Sequence, residues 1–86
     1  MSDPREQALA EAIKNKMIGI LKAEEIFPGM AILRKKILNM SNREMERVSR
    51  KVASKVYNWI NKIQSSGKKL TGEMINRRVK MELERL

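Results

Sequence analysis

Hydrophobic residues recur at intervals of three and four positions in four separate stretches of the chain. This spacing gathers them on one side of an α-helix, because each residue advances about 100° around the helix axis. The stretches predict helices over residues 4–25, 30–39, 42–64 and 72–85. Two prolines and four glycines are too few for an all-β protein of many turns. The pattern therefore predicts an all-α fold, a small four-helix bundle formed by one domain over residues 1–86.

Capping residues mark the ends of these helices. Asp3, with Glu6 three positions later, has the order of an N-cap and its capping-box partner. The sequence Phe-Pro-Gly at 27–29 is expected to end the first helix, because proline cannot continue the helical hydrogen bonds. Ser41 and Glu44 form a second capping box, which sets the start of the third helix.

The apolar positions of the later helices predict the core. On the third helix, seven side chains within about 120° of arc are expected to face it. They are Met45, Val48, Val52, Val56, Trp59, Ile60 and Ile63. The second helix is expected to turn Ile32, Leu33, Ile37 and Leu38 to the core and Arg34, Lys35 and Lys36 to solvent. The fourth helix carries Ile75, Val79, Leu83 and Leu86 on one face.

Charge changes this picture, because it is distributed unevenly. The chain has 19 Lys and Arg against 10 Asp and Glu, a formal net charge of +9. Residues 1–33 hold four basic and five acidic side chains, and residues 81–86 hold one and two, so each segment is −1. Residues 34–80 hold fourteen basic and three acidic side chains, or +11. The excess positive charge therefore belongs to the second, third and fourth helices.

A ridge of basic side chains follows the third helix over an arc of about 140° beside the apolar stripe. Its members are Arg43, Arg47, Arg50, Lys51, Lys55 and Lys62. On this helix only Glu44 and Glu46, in the first turn, are available to neutralise them, and like charges one turn apart repel. An anionic partner would relieve that repulsion. The alternative is a solvated face on a basic protein.

The last two helices have the order of a helix-turn-helix, in which the second helix enters the major groove of DNA. Asn76 and Arg77 are suited to adenine and guanine, and Lys80 is a further candidate for base contact. The residues suited to phosphate are Lys68, Lys69 and Thr71 in the connection. Arg78 on the helix is a further candidate for nucleic-acid contact. The connection is about seven residues, longer than the usual three or four. Phosphate contact without base reading therefore stays open.

The chain lacks the residues of several chemistries. Histidine and cysteine are absent, so a zinc finger, an imidazole base and a disulfide are excluded. Gly67 and Gly72 have the separation of a P-loop, but Glu73 and Met74 follow where Lys and Ser or Thr are needed. Acidic pairs such as 82 and 84 are interpreted as ordinary helix-end charges. We expect no enzymatic activity, no cofactor and no metal.

Small residues on the first helix suggest an oligomer interface. Ala8, Ala12, Gly19 and Ala23 lie within about 60° of one another, beside the apolar stripe. They would let a second copy approach closely, and Met74 and Met81 on the fourth helix offer another adaptable contact. Alternatively, this side of the first helix is covered by the other three helices.

These features predict a function in nucleic-acid binding. The leading hypothesis is a small duplex DNA-binding protein, regulatory, accessory or packaging in role; the few aromatic residues argue against single-strand stacking. The alternative is a helical interaction module that docks its basic face on an acidic protein. No apolar stretch is long enough to span a bilayer and no signal core is visible, so no membrane partner and an intracellular location are expected.

Overall fold

The computed structural model describes residues 3–23 and 30–86. Its helices are α1 (Pro4–Lys22), α2 (Ala31–Leu38), α3 (Asn42–Ser65) and α4 (Gly72–Glu84), and the described ranges contain no strand. The predicted all-α fold of four helices is confirmed. The predicted first helix is too long, because Ala23 already has an extended backbone. The expected stop at 27–29 lies outside the described residues.

The helix caps follow the sequence signals. Asp3 accepts a hydrogen bond from the backbone N–H of Arg5 at 2.8 Å, and Ser41 Oγ accepts one from the N–H of Glu44 at 3.2 Å. Side-chain oxygens at these positions satisfy amides that the first helical turn leaves without a partner. At the other end of α3, Gly67 has a φ of +79°, the left-handed geometry that commonly ends helices.

The four helices lie in a ring, in the order α1, α3, α4, α2, so that each packs mainly against two neighbours. α3 packs most extensively against α1 and also contacts α4, while α2 joins α1 to α4 on the opposite side. The core lies inside this ring and draws on all four helices. Its buried apolar residues are Ile13, Met17, Ile20, Leu33, Ile37, Met45, Val52, Ala53, Val56, Val79 and Leu83.

The prediction for α2 is half wrong. Leu33 and Ile37 are buried, but Ile32 and Leu38 are 71% and 62% exposed. An eight-residue helix turns one side to its neighbours, and Ile32 and Leu38 each lie about 100° away from that side. Lys35 is exposed as expected, but Arg34 and Lys36 are only half-exposed. Arg34 donates to the carbonyl oxygen of Leu21, and Lys36 donates to two carbonyl oxygens of the C-terminal residues 84 and 86.

Trp59 does not belong to the core, contrary to the prediction. It is half-buried, whereas Ser49 and Ala53, which the apolar stripe omits, are 2% and 0% exposed. The buried side of α3 is rotated toward these small residues because α1 is its principal neighbour. Trp59 faces α4 instead, where the guanidinium of Arg78 lies 5.6 Å from its ring centre. Leu86, expected on the apolar face of α4, is 40% exposed.

Candidate nucleic-acid interface

The basic ridge of α3 lies on the side of the helix that faces away from the core. All six of its members, Arg43, Arg47, Arg50, Lys51, Lys55 and Lys62, are exposed. Within residues 3–23 and 30–86, Lys55 alone among them makes an ion pair, with Nζ 3.9 Å from Oε2 of Glu82. The other five cations have no such partner in the part of the chain that the structure describes. The ridge is therefore a solvated surface of largely uncompensated positive charge.

On the α1 side, Glu46 lies next to the ridge and is bound by Lys14 of α1. Lys14 donates a 3.0 Å hydrogen bond to Oε1 of Glu46, and this bond holds the pKa of Glu46 below its usual value. Glu46 therefore pairs with α1 instead of neutralising the ridge, although the charge of Arg50 also lowers its pKa slightly.

Tyr57 also connects α3 to α1. Its hydroxyl donates a 2.7 Å hydrogen bond to Oδ2 of Asp3, the residue that caps α1. This bond lowers the pKa of the Asp3 carboxyl, and the same bond, together with burial, raises the pKa of the Tyr57 hydroxyl. The hydroxyl proton of Tyr57 is therefore already donated within the protein.

On the α4 side, the ridge ends at a cluster of charges around Glu82. This carboxylate is 4% exposed and lies 3.2 Å from Arg78, 3.6 Å from Arg85 and 3.9 Å from Lys55. Sequence reasoning missed this cluster because it treated Glu82 as a helix-end charge. The signal was its register: Glu82 follows Val79 by three positions and precedes Leu83, so it falls on the apolar side of α4.

The structure divides the predicted nucleic-acid contacts of α4 into two groups. Asn76, Arg77 and Lys80 are exposed, and Arg77 pairs with Glu73 one turn earlier at 2.7 Å. Arg78 is half-buried against Trp59 and Glu82 on the α3 side of the helix. Because Arg78 is turned about 100° from Arg77, the two do not present one common surface.

The connection between α3 and α4, residues 66–71, holds the predicted phosphate contacts. Lys68 and Lys69 are exposed there. The hydroxyl oxygen of Thr71 accepts a 3.3 Å hydrogen bond from the N–H of Met74, so it caps α4. A hydroxyl that accepts still has its own proton to donate. Thr71 can therefore cap the helix and contact a phosphate at the same time.

The predicted oligomer surface is partly accessible. Ala8, Ala12 and Gly19 are exposed on α1, Ala23 is half-buried, and Met74 and Met81 are half-buried on α4. The alternative, in which the other helices cover this side of α1, does not hold for its three exposed members. Dimerisation itself stays a prediction.

Two classes of site find no support among the described residues. No group of three acidic side chains within residues 3–23 and 30–86 is arranged to hold a metal ion. No helix in the same ranges has the length and apolar character needed to cross a membrane. Comparison with protein families, with curated proteins and with solved structures finds no match for this chain. The surface itself must therefore carry the functional argument.

Proposed function

We propose that this protein binds duplex DNA inside the cell through the ridge of α3 and the exposed side of α4, without catalysis of its own. The observation that carries the proposal is the set of five exposed cations on α3 that have no ion-pair partner among the described residues. Its role would be regulatory, accessory or packaging.

Phosphate neutralisation would be the main source of affinity. The ridge from Arg43 to Lys62 extends over about 28 Å of α3, since each helical residue rises about 1.5 Å. Duplex DNA carries one negative charge per about 1.7 Å, so such a length faces many phosphates. Binding would release their counterions and relieve the repulsion between neighbouring cations on the helix.

The exposed side of α4, which is turned away from α3, would add further contacts. Arg77 and Asn76 are the candidates for base edges in a helix-turn-helix arrangement, and Lys68 and Lys69 for phosphates. The pair between Arg77 and Glu73 is fully solvated at 79% and 73% exposure. Such a pair contributes only about 0.3–0.5 kcal/mol, so exchanging it for a guanine contact costs little.

A salt titration of duplex binding tests this proposal. Log K is expected to fall against log salt with a slope of about −0.9 for each phosphate contacted. Exchanging Arg47 and Lys51 for glutamine should make the slope less steep by the amount that about two phosphate contacts contribute. Exchanging Lys22 and Lys35, which are exposed on α1 and α2, for glutamine should leave the slope unchanged. A shallow slope in the unaltered protein, or no binding at low salt, contradicts the proposal.

Docking of the basic face on an acidic protein is the competing function, and Arg77 separates the two. Reversing its charge with Arg77→Glu should weaken duplex binding more than Lys22→Glu, which changes the net charge equally at a distant site. Equal effects of the two variants would favour the protein-docking alternative. Arg78 is unsuitable for this purpose, because its reversal would place a second carboxylate beside Glu82.

A homodimer through Ala8, Ala12, Gly19 and Ala23, with Met74 and Met81, belongs to the same proposal. It would double the formal charge and present two equivalent copies of α4 to two half-sites. Light scattering on the free protein measures this directly, and a monomer mass at concentrations that saturate DNA would exclude it.

A further inference from the structure

A surface cavity of about 360 Å³ lies between α3 and α4, at the edge of the ridge. Lys55 and Lys62 approach it from α3, and Arg78 and Arg85 from the α4 side. Glu82 and Trp59 also line it. With four basic side chains and one acidic, the lining carries a net charge of +3. Its volume is at the lower end of the range typical of small-molecule sites.

The acidic member does not cancel the positive charge at the mouth of the cavity. Glu82 is 4% exposed, whereas Lys55 and Arg85 are 57% and 63% exposed. The distances from Glu82 to Lys55 and Arg85, 3.9 and 3.6 Å, exceed those of hydrogen bonds between charged groups. The charge of Glu82 thus holds Lys55 and Arg85 near the cavity, while their N–H groups are free to bind a ligand.

Trp59 and Glu82 hold the side chain of Arg78 in place beside the cavity. Its guanidinium lies over Trp59 and 3.2 Å from Glu82, and its Nε atom is buried without a hydrogen-bond partner in the described structure. A planar guanidinium fixed between an aromatic ring and a carboxylate is preorganised, so little side-chain entropy is lost when it binds an anion. A larger cavity between α1 and α3 has the opposite character, with three acidic and two basic side chains.

We propose that the cavity between α3 and α4 is a binding site for the phosphate group of a phosphorylated molecule. The two guanidinium and two ammonium groups have more N–H donors than the carboxylate group of a ligand could accept. A phosphate group has more acceptor oxygens and more negative charge than a carboxylate, so it matches this set of donors better. The phosphate has two possible sources, the backbone of a bound duplex or a small phosphorylated compound. The site shares Lys55 and Lys62 with the ridge and so rests in part on the proposed function, whereas Arg78 and Arg85 lie outside the ridge.

The chain contains one tryptophan, and that residue lines the cavity, so its fluorescence reports on this site. Titrating the full chain with inorganic pyrophosphate should change the fluorescence of Trp59 saturably, whereas sodium chloride at equal ionic strength should not. Lys62→Gln is expected to weaken pyrophosphate binding roughly three- to tenfold. Lys51→Gln is the matched control, because Lys51 is also exposed on α3 but does not line the cavity.

Competition with a short DNA duplex identifies the source of the phosphate. Displacement of pyrophosphate by the duplex assigns the cavity to a backbone phosphate. Independent binding of the two assigns it to a small phosphorylated compound, and pyrophosphate binding without duplex binding supports the site while refuting the proposed function. No saturable change, or equal losses in Lys62→Gln and Lys51→Gln, overturns the site. Arg85→Gln, on the opposite wall, provides a second variant if Lys62→Gln is poorly folded.

Discussion

At the scale of single residues, Glu82 links α3 to α4 through charge. Its carboxylate is almost fully buried, and such a group is tolerated when cations compensate for its lost hydration. Arg78 and Arg85 provide this compensation from its own helix, and Lys55 provides it from α3. Removing the carboxylate would leave three cations close together with nothing between them.

We therefore expect Glu82→Gln to lower the free energy of unfolding by roughly 1–3 kcal/mol, because it takes the partner from a half-buried arginine. Glu73→Gln is the matched control, since it removes the same charge from the same helix but breaks only an exposed pair with Arg77. The control should change the free energy by less than about 0.5 kcal/mol. Urea unfolding measures both, and equal losses would show that Glu82 has no special structural role.

Residue positions also show where sequence patterns stop being informative. The apolar period of α3 correctly predicted Met45, Val52 and Val56 in the core. It placed Trp59 there too, because a helical wheel treats every apolar side chain alike. Which part of an arc is buried depends on where the neighbouring helix lies, and α1 covers the side of Ser49 and Ala53.

At the scale of secondary-structure elements, the break between α3 and α4 depends on Gly67. Its φ of +79° reverses the chain direction after α3, and no heavy atom lies within 4 Å of where a Cβ would be. The requirement for glycine is therefore one of backbone conformation and not of space. Gly72, the first residue of α4, also has open space around it but has no positive φ.

These two glycines predict opposite effects of the same substitution. Gly67→Ala should destabilise the protein by about 1–2 kcal/mol, because a Cβ disfavours the left-handed conformation. Gly72→Ala should be neutral or should stabilise it by up to about 1 kcal/mol, because alanine restricts the unfolded chain. Thermal unfolding of the two variants checks this contrast. A destabilising Gly72→Ala would mean that the start of α4 needs glycine for another reason.

The sequence of α2 alone does not show which of its apolar residues are buried. Four large apolar side chains among eight residues predicted a broad buried side. Of these four, only Leu33 and Ile37 are buried where α2 packs against α1 and α4. Its basic residues contribute to packing as well, since Lys36 holds the C-terminal carbonyl oxygens of Glu84 and Leu86.

At the scale of the whole molecule, contacts between distant parts of the chain close the ring of helices. Tyr57 of α3 binds Asp3 at the start of α1, and Lys36 of α2 binds the end of α4. Each contact joins neighbours in the ring, so the two together restrain both ends of the described chain.

The bond between Tyr57 and Asp3 predicts a dependence of stability on pH. The pKa of Asp3 is lowered from 3.8, so its contribution is present above that pH and is lost as the pH falls through the lowered value. The pKa of Tyr57 is raised from 10.0, so its contribution is present below that pH and is lost as the pH rises through the raised value.

The variant Tyr57→Phe is accordingly expected to melt below the unaltered protein at neutral pH, with a difference that shrinks at both extremes. Melting temperatures across the pH range measure this difference. Gln64→Ala, at an exposed position two turns later on α3, serves as a control whose effect should not follow the same profile. A difference between Tyr57→Phe and the unaltered protein that is independent of pH would contradict the assigned bond.

The amino-acid sequence alone predicts the four helices, their caps at Asp3 and Ser41, and the face of α3 that carries the basic ridge. These features depend on residues close together in the chain, through helical periodicity and local hydrogen bonds. The tertiary structure was needed to show that Glu82 is buried among cations from two helices and that Trp59 faces Arg78. It was also needed to show that α3 and α4 form a basic cavity between them. These contacts depend on how α3 and α4 pack, which no local pattern specifies.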